Sequence, residues 1–128
     1  MIEITWAPIL PELSINKVRK DSYGCVVTFV GTVRDTSSSG KKALFLENAT
    51  SAEKLATKEL QQIANEIQSK WQLEDIVICH RLGRLKVGEI TLVVAIAAPH
   101  RNEAFEACQY ALDCFKQVVP AWEKEVTE

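Results

Sequence analysis

The sequence predicts an α+β domain with a mixed β-sheet and three main helices. Five segments are rich in β-branched residues or alternate apolar with polar residues, which is typical of strands. Three other segments repeat their apolar residues every three or four positions, as amphipathic helices do. The resulting order, β-α-β-β-α-β-β-α, favours α+β over a doubly wound parallel sheet.

The first part of the chain contains two of these strands and a short helix. Residues 2–6 alternate as a strand, and Leu13–Lys20 predicts a helix that Ser14 would cap. The segment Gly24–Arg34 is rich in β-branched residues and predicts a long strand. The polar, Gly/Ser-rich segment Asp35–Lys42 follows it and predicts a mobile loop.

The middle of the chain predicts two strands around a long helix. The first strand covers Ala43–Glu47, and the second covers Asp75–His80. Between them, we expect the helix to begin at a capping box formed by Thr50 and Glu53. Its apolar stripe extends as far as Trp71.

The last part of the chain predicts a strand that leads into the third helix. A turn region at Gly83–Gly88 precedes the strand Glu89–Ala98. The helix is expected over Glu103–Val119, with Asn102 as its N-cap and Pro120 as its stop.

Composition limits the number of domains and the classes of partner. The 128 residues fit one domain spanning 1–128, with the 47% hydrophobic and 25% charged residues of an ordinary globular protein. A net charge of −2 gives no general attraction to nucleic acid or to an anionic membrane. The longest apolar run, Ile90–Ala98, is too short to span a bilayer, and no segment has the pattern of a signal peptide.

The four cysteines and two histidines argue against a metal centre. No two cysteines form a C-x-x-C pair, and all four lie in predicted strands or in the last helix. We therefore expect no metal site and no resident cofactor. The cysteines are interpreted as buried, reduced residues of a cytoplasmic protein.

A candidate anion site lies where the last strand meets the last helix. His100 and Arg101 directly precede this helix, whose first turn offers unpaired N–H groups and a positive dipole end. Such a position suits a phosphate. The alternative, two solvated cations in a surface loop, has similar weight on spacing alone.

One lysine of the same helix is a candidate nucleophile or general base. Ala104, Cys108, Leu112 and Lys116 recur every four residues, and Phe105 extends the apolar stripe. This pattern predicts that Lys116 is partly desolvated, which would lower the pKa of its ammonium group. The alternative is a lysine that snorkels at the edge of the stripe, and it is the more common case.

Three other charged positions have structural alternatives that local evidence favours. Arg34 ends a strand and could bind a phosphate, although pairing with Asp35 or solvation is the simpler interpretation. His80 is best explained as a packed or loop histidine. Glu123 and Lys124 follow a tryptophan in a charged tail, which is typical of a solvent-exposed surface.

Four motifs together resemble the large, catalytic subunit of molybdopterin synthase. They are VVTFVGTVRD at Val26–Asp35, HRLGRLKVGE at His80–Glu89, APHRNEAFEACQYALD at Ala98–Asp113, and K-x3-P-x-W-x-K-E at 116–125. The resemblance implies an α/β-hammerhead-like fold in a homodimer. Each copy would bind a small ubiquitin-like subunit that ends in a Gly-Gly thiocarboxylate, which gives a heterotetramer. The family transfers that sulfur to cyclic pyranopterin monophosphate and forms molybdopterin.

The resemblance also assigns roles to residues of this chain. Lys116 would be the central catalytic lysine, where the thiocarboxylate tail arrives. Residues that would hold the substrate and its cyclic phosphate are Thr32, Val33, Arg34, His100 and Arg101.

Among the departures from the family pattern, one concerns a proposed active-site residue. The family usually has a second active-site lysine directly after the tryptophan, whereas this chain has Glu123 there and lysine only at Lys124. We expect Lys124 to take over the role and point into the pocket, with Glu123 pointing away. Glu123, Lys124 and Glu125 are all candidate substrate contacts. The alternative is a non-catalytic paralogue that binds the small subunit or a phosphate ligand without turnover.

Overall fold

The computed structural model of the protein describes residues 1–37, 39–48 and 51–127. The elements of this part of the chain are, in order, β1 (Ile2–Thr5), α1 (Pro11–Val18), β2 (Cys25–Thr32), β3 (Ala43–Asn48), α2 (Ala52–Trp71), β4 (Ile76–Arg81), β5 (Leu85–Lys86), β6 (Ile90–Ala98), α3 (Arg101–Val118), a 3₁₀ turn (Val119–Ala121) and β7 (Glu123–Thr127).

The strands form two sheets. The larger sheet has the order β1-β4-β6-β2, in which β1 and β4 are parallel and the other pairs are antiparallel. The smaller sheet has the order β5-β3-β7 and is antiparallel throughout. The α+β class, the mixed sheet and the three helices are thereby confirmed.

The apolar run of β6 is continuous because both faces of the larger sheet are covered. Its even-numbered residues 92–98 are buried against α2 and α3, while its odd-numbered residues 93–97 are buried in the cluster that contains α1. Side chains alternate between the faces of a strand, so a strand covered on both sides needs apolar residues at every position. The sheet therefore holds the ends of β2 and β6 rigidly.

Two strands were not predicted. β5 has only two residues and lies inside the predicted turn region Gly83–Gly88. β7 lies at the edge of its sheet, in the segment predicted to be a solvated tail. Edge strands commonly carry charged residues, which removes the apolar alternation that identifies a strand.

The helix starts also differ from the prediction. α1 begins at Pro11, and Ser14 is buried within it instead of capping it. The N-cap position of α3 is His100, so Asn102 lies inside the first turn. The predicted capping residue Thr50 lies outside the described residues.

The four cysteines are free thiols, with Cys79 and Cys108 buried and Cys25 and Cys114 partly buried. In the described ranges, no helix has the length and apolar character needed to cross a membrane.

Candidate functional site

The end of β2 and the start of β7 border a cavity of about 400 Å³, which we call the Arg34 pocket. The pocket is lined by Thr32, Val33, Arg34, Ala43, Leu46, Val119, Pro120, Glu123, Lys124 and Glu125.

Val33 fixes one wall of the Arg34 pocket. Its side chain is buried, its N–H donates to the carbonyl of Glu89 at 3.0 Å, and its carbonyl accepts from the N–H of Gly88 at 2.8 Å. Both backbone groups of Val33 are therefore engaged within the fold. The neighbouring side chains of Thr32 and Arg34 are exposed and border the cavity. Val33 thus positions its neighbours, of which Arg34 offers a fork of donors for an anion.

Trp122 holds β7 against the rest of the molecule. Its indole is buried, and its Nε1–H donates to Nε2 of His80 at 3.1 Å. Since Nδ1 of His80 bonds the carbonyl of Thr91 at 2.8 Å, the proton must reside on Nδ1 and the ring is neutral. Burial lowers the pKa of His80, in keeping with this form. His80 is thus a packed histidine, as expected.

Glu123 is the first residue of β7 and lines the Arg34 pocket. It lies opposite Asn48 in the β3–β7 ladder and is only partly exposed. Among the described residues, neither Oε1 of Glu123 nor Nδ2 of Asn48 has a hydrogen-bond partner, and both atoms are buried. Burial raises the pKa of Glu123 to about 7; the nearby Asn48 amide lowers it and Glu125 raises it further.

Lys124 faces solvent instead. Its side chain is 74% exposed, and its Nζ lies 4.0 Å from Oε2 of Glu47, its partner across the ladder. Glu123 is the more buried of the two residues, but both line the Arg34 pocket. The expectation that Lys124 points inward and Glu123 outward therefore stays a prediction.

Lys116 borders a second cavity, of about 300 Å³, which we call the Lys116 groove. The groove lies between α3 and the edge of β2 and shares Val119 with the Arg34 pocket. Its other lining residues are Phe29, Gly31, Thr91, Leu92, Gln109, Leu112, Asp113, Phe115 and Lys116.

Lys116 is exposed, so the predicted desolvation of its side chain is wrong. Each four-residue step turns about 40° around a helix, so three steps from Ala104 place Lys116 about 120° away from the buried face. Phe105, also assigned to the apolar stripe, is 58% exposed. The buried row instead follows Ala104, Cys108 and Ala111.

His100 and Arg101 lie at the opposite end of the larger sheet. β2 pairs Cys25 with Ala98 at one end and Thr32 with Ile90 at the other. These ends are seven residue steps of about 3.3 Å apart, or roughly 23 Å. Both side chains are exposed and border a separate cavity of about 450 Å³. One copy of the chain therefore does not bring His100 and Arg101 to Arg34.

Asn48 is a site residue that the sequence did not indicate. Its Oδ1 accepts from the N–H of Gly83, and this bond links β3 to the turn after β4. A polar residue at the end of a predicted strand is too common to single it out.

Within ranges 1–37, 39–48 and 51–127, no group of His, Cys, Asp or Glu residues could hold a metal ion.

Comparisons with known proteins agree on one family. A profile described as "MoaE protein" matches residues 4–118. The molybdopterin synthase catalytic subunit of Bacillus subtilis is 44% identical over 126 residues, which cover 98% of this chain and 79% of the relative. The catalytic subunit from Nostoc sp. is 44% identical over 124 residues, which cover 95% and 73%. The crystal structure of molybdopterin synthase from Staphylococcus aureus matches with a TM-score of 0.85 and 36% identity, covering 98% of this chain and 90% of that chain. This chain belongs to the MoaE family, that of the molybdopterin synthase catalytic subunits.

Proposed function

We propose that this chain is the catalytic subunit of molybdopterin synthase. It moves sulfur from the C-terminal thiocarboxylate of a small ubiquitin-like subunit to cyclic pyranopterin monophosphate, and thereby forms molybdopterin. Family membership supports this activity. The observation that carries it is a pair of cavities, one bordered by Arg34 and the other by Lys116, that share Val119 as a lining residue. The four free thiols fit a cytoplasmic location.

The Lys116 groove suits the tail of the small subunit. Its walls are mostly apolar, with Phe29, Leu92 and Phe115 among them, and a narrow apolar groove favours an extended chain without bulky side chains. The thiocarboxylate would then reach the ammonium of Lys116. There, Lys116 acts as an acid or base, or stabilises the oxyanion of the tetrahedral adduct.

The Arg34 pocket suits the phosphate-bearing substrate. Arg34 supplies the planar donor fork that matches phosphate oxygens, and the exposed Thr32 hydroxyl adds a further donor. Lys124 borders the pocket from β7 and contributes a positive charge at its rim. A substrate in the Arg34 pocket and a sulfur donor in the Lys116 groove would then both lie next to Val119, which lines both cavities.

The homodimer completes the substrate site. Since roughly 23 Å separates the two ends of β2, His100 and Arg101 of one copy can join Arg34 only in a second copy. A two-fold dimer in which the first turn of α3 from one copy approaches the Arg34 pocket of the other would bring all three cations together. Two small subunits then complete a heterotetramer.

A specific observation also favours a second candidate function. Glu123 lines the Arg34 pocket, and Lys124, which borders the same pocket, is 74% exposed. A protein that lost the second lysine could still bind the small subunit or a phosphate ligand without turnover. This candidate predicts partner binding with no product.

Reconstitution distinguishes the two. The purified chain is mixed with a thiocarboxylated small subunit and cyclic pyranopterin monophosphate, and formation of the dithiolene product is measured. Catalysis predicts product in proportion to the thiocarboxylate supplied, at two sulfurs per product. Tight binding of the small subunit without dithiolene identifies the non-catalytic protein, and a carboxylate-ended small subunit is the matched control.

A further inference from the structure

One carboxyl oxygen beside the Arg34 pocket has no hydrogen-bond partner among the described residues, although the Asn48 amide lies near the same carboxyl group. Oε1 of Glu123 is buried, has no hydrogen-bond partner among the described residues, and belongs to a residue that lines the cavity. A buried polar atom without a partner is costly in a folded protein, so such an atom beside a cavity suggests a ligand. The proposed ligand is an anion, which a charged carboxylate would repel.

We propose that Glu123 binds the phosphate group of the substrate as a neutral carboxylic acid that donates its proton in a hydrogen bond. The inference rests on the proposed function and adds the chemical form in which this residue acts. A neutral acid has one O–H donor, which can reach a phosphate oxygen without adding negative charge to the pocket. Burial favours this neutral form of the side chain.

The surroundings of Glu123 determine how firmly the proton is held. Arg34 borders the pocket from the segment after β2, while Lys124 and Glu125 flank Glu123 on β7. Glu47 lies across the ladder from Lys124, and the 3₁₀ turn adds only apolar side chains. Burial is the largest influence on the pKa of Glu123 and raises it; the Asn48 amide lowers it, and Glu125 is the charged neighbour that raises it further. Burial therefore chiefly determines which form is present.

This assignment makes anion binding depend on a proton. Below the pKa of Glu123, the acid is ready to donate. Above it, each bound anion must bring one proton from solvent to the carboxylate. Affinity then falls with rising pH by up to tenfold per pH unit, the limit for uptake of one proton. No proton is taken up where the residue is already protonated.

The test uses a probe that does not itself titrate. A simple cyclic phosphodiester, 1,3-propanediol cyclic phosphate, keeps a single negative charge from pH 6 to 9. Its binding to the intact dimer is measured by calorimetry across this range, and proton uptake is obtained by repeating each titration in buffers of different ionisation enthalpy.

Three variants make the test specific. Glu123→Gln keeps a donor but cannot ionise, Glu123→Met has a similar size but no donor, and Glu53→Gln removes an exposed carboxylate outside the pocket. All three are compared at pH 6 and pH 9 with the unaltered chain. His100 is present in every variant, so its effect on binding is common to all of them. Differences between variants therefore isolate Glu123.

We expect the unaltered chain and Glu53→Gln to lose affinity up to tenfold per unit above pH 7 and to take up close to one proton per ligand at pH 8. Between pH 6 and pH 9, Glu123→Gln should lose at least tenfold less affinity than the unaltered chain, and it should take up close to one proton fewer per ligand at pH 8. Glu123→Met should bind several-fold more weakly than the unaltered chain at pH 6. The proposal is overturned if Glu123→Gln keeps the pH dependence, or if Glu123→Met binds normally at pH 6. Absence of probe binding at every pH overturns the anion site itself. Failure of the proposed function appears separately, as absence of dithiolene in the reconstituted reaction.

Discussion

Lys116 reaches its groove from the exposed side of α3. Its ammonium is hydrated in the isolated chain, since the residue is exposed. The low-dielectric surroundings that make a lysine reactive must therefore come from the ligands. A tail lying in the groove and a substrate in the Arg34 pocket would together exclude water from the ammonium. Reactivity at this residue thus depends on the assembled complex.

Replacing Lys116 by alanine tests this role. We expect Lys116→Ala to abolish sulfur transfer while changing the free energy of unfolding by no more than about 0.5 kcal/mol, because exposed positions contribute little to stability. Dithiolene formation and urea denaturation measure the two effects. The neighbouring exposed Gln117→Ala serves as the control. Near-normal turnover by a folded Lys116→Ala dimer would remove this lysine from the mechanism.

His80 makes the stability of the protein depend on pH. The ring is neutral in the folded state because burial lowers its pKa below the ordinary 6.5. At this residue the unfolded chain therefore binds a proton that the folded chain does not, so the contribution of His80 to stability falls as pH drops below about 6.5, by at most about 1.4 kcal/mol per pH unit. Glu123, whose pKa burial raises to about 7, contributes the opposite slope in this range. The His80 contribution is therefore the difference between the unaltered chain and His80→Gln. Thermal unfolding between pH 5 and 7 measures this slope, and a Gln substitution at this position should remove it. An unchanged slope in His80→Gln would assign the effect to other groups.

At the scale of elements, the close approach of β2 to the start of α3 depends on a glycine. A Cβ atom on Gly24 would lie 2.5 Å from the carbonyl oxygen of Pro99, and the Gly24 N–H already bonds the carbonyl of Ala98 at 3.1 Å. The obstacle is backbone, which cannot move without shifting the corner that carries His100 and Arg101. The geometry of the cavity bordered by His100 and Arg101 therefore depends on Gly24.

We expect Gly24→Ala to destabilise the protein by about 1–3 kcal/mol, as overpacking does, and to weaken substrate binding. Gly31→Ala is the matched control, since its Cβ would meet side chains instead of backbone: the ring of Phe29 at 3.0 Å, which can turn, and Leu92 at an ordinary contact distance of 3.7 Å. Calorimetric unfolding and substrate titration measure both variants. Equal effects of the two substitutions would contradict a special role for the Gly24 corner.

Elements with strong periodicity could be predicted from sequence. The buried apolar residues of α2 recur at helical spacing, and those of β6 form one continuous run. Both elements could therefore be predicted from the positions of apolar residues. β7 could not be predicted, because its charged residues pair with β3 from 75 positions away (123 − 48) and only that pairing makes the segment a strand. Local pattern carries no information about such distant partners.

The sequence indicated candidate site residues but not their geometry. Arg34 and Lys116 border two cavities that share Val119, and their roles stay predictions. The burial of Glu123 depends on where Trp122 is anchored, and a four-residue repeat does not follow the true helical period, which explains the exposure of Lys116. Both features depend on tertiary contacts, which a local pattern does not contain.

At the scale of the whole molecule, the proposed anion-binding residues lie at two ends of one sheet. Arg34→Ala and Arg101→Ala should each weaken substrate binding by roughly 1.5–3 kcal/mol per lost charge-assisted hydrogen bond. Both should leave binding of the small subunit nearly unchanged. Separate titrations of substrate and small subunit measure this, and equal losses for the two ligands would indicate that these arginines support the fold or the interface.

Mixing the two arginine variants tests the shared site directly. Suppose that Arg34 of one copy works with Arg101 of the other. A mixed dimer of one Arg34→Ala copy and one Arg101→Ala copy then contains one intact site and one site with both substitutions. Random re-pairing makes about half of all dimers mixed, so activity should recover to about a quarter of the wild-type rate. The rate is measured before and after subunit exchange. If both arginines act within one copy, mixing restores nothing.

The pairing of β3 with β7 determines when the Arg34 pocket comes into existence. Proteins emerge from the ribosome N-terminus first, so the larger sheet can be complete while β3 still lacks one neighbour. Glu123, Lys124 and Glu125 are synthesised after every strand of the larger sheet, and bringing them back to β3 closes a long loop. A nascent or prematurely terminated chain can thus fold its central layer without acquiring a place for the pterin. A chain that stops before β7 would therefore not bind a ligand in this pocket, because β7 supplies part of its wall.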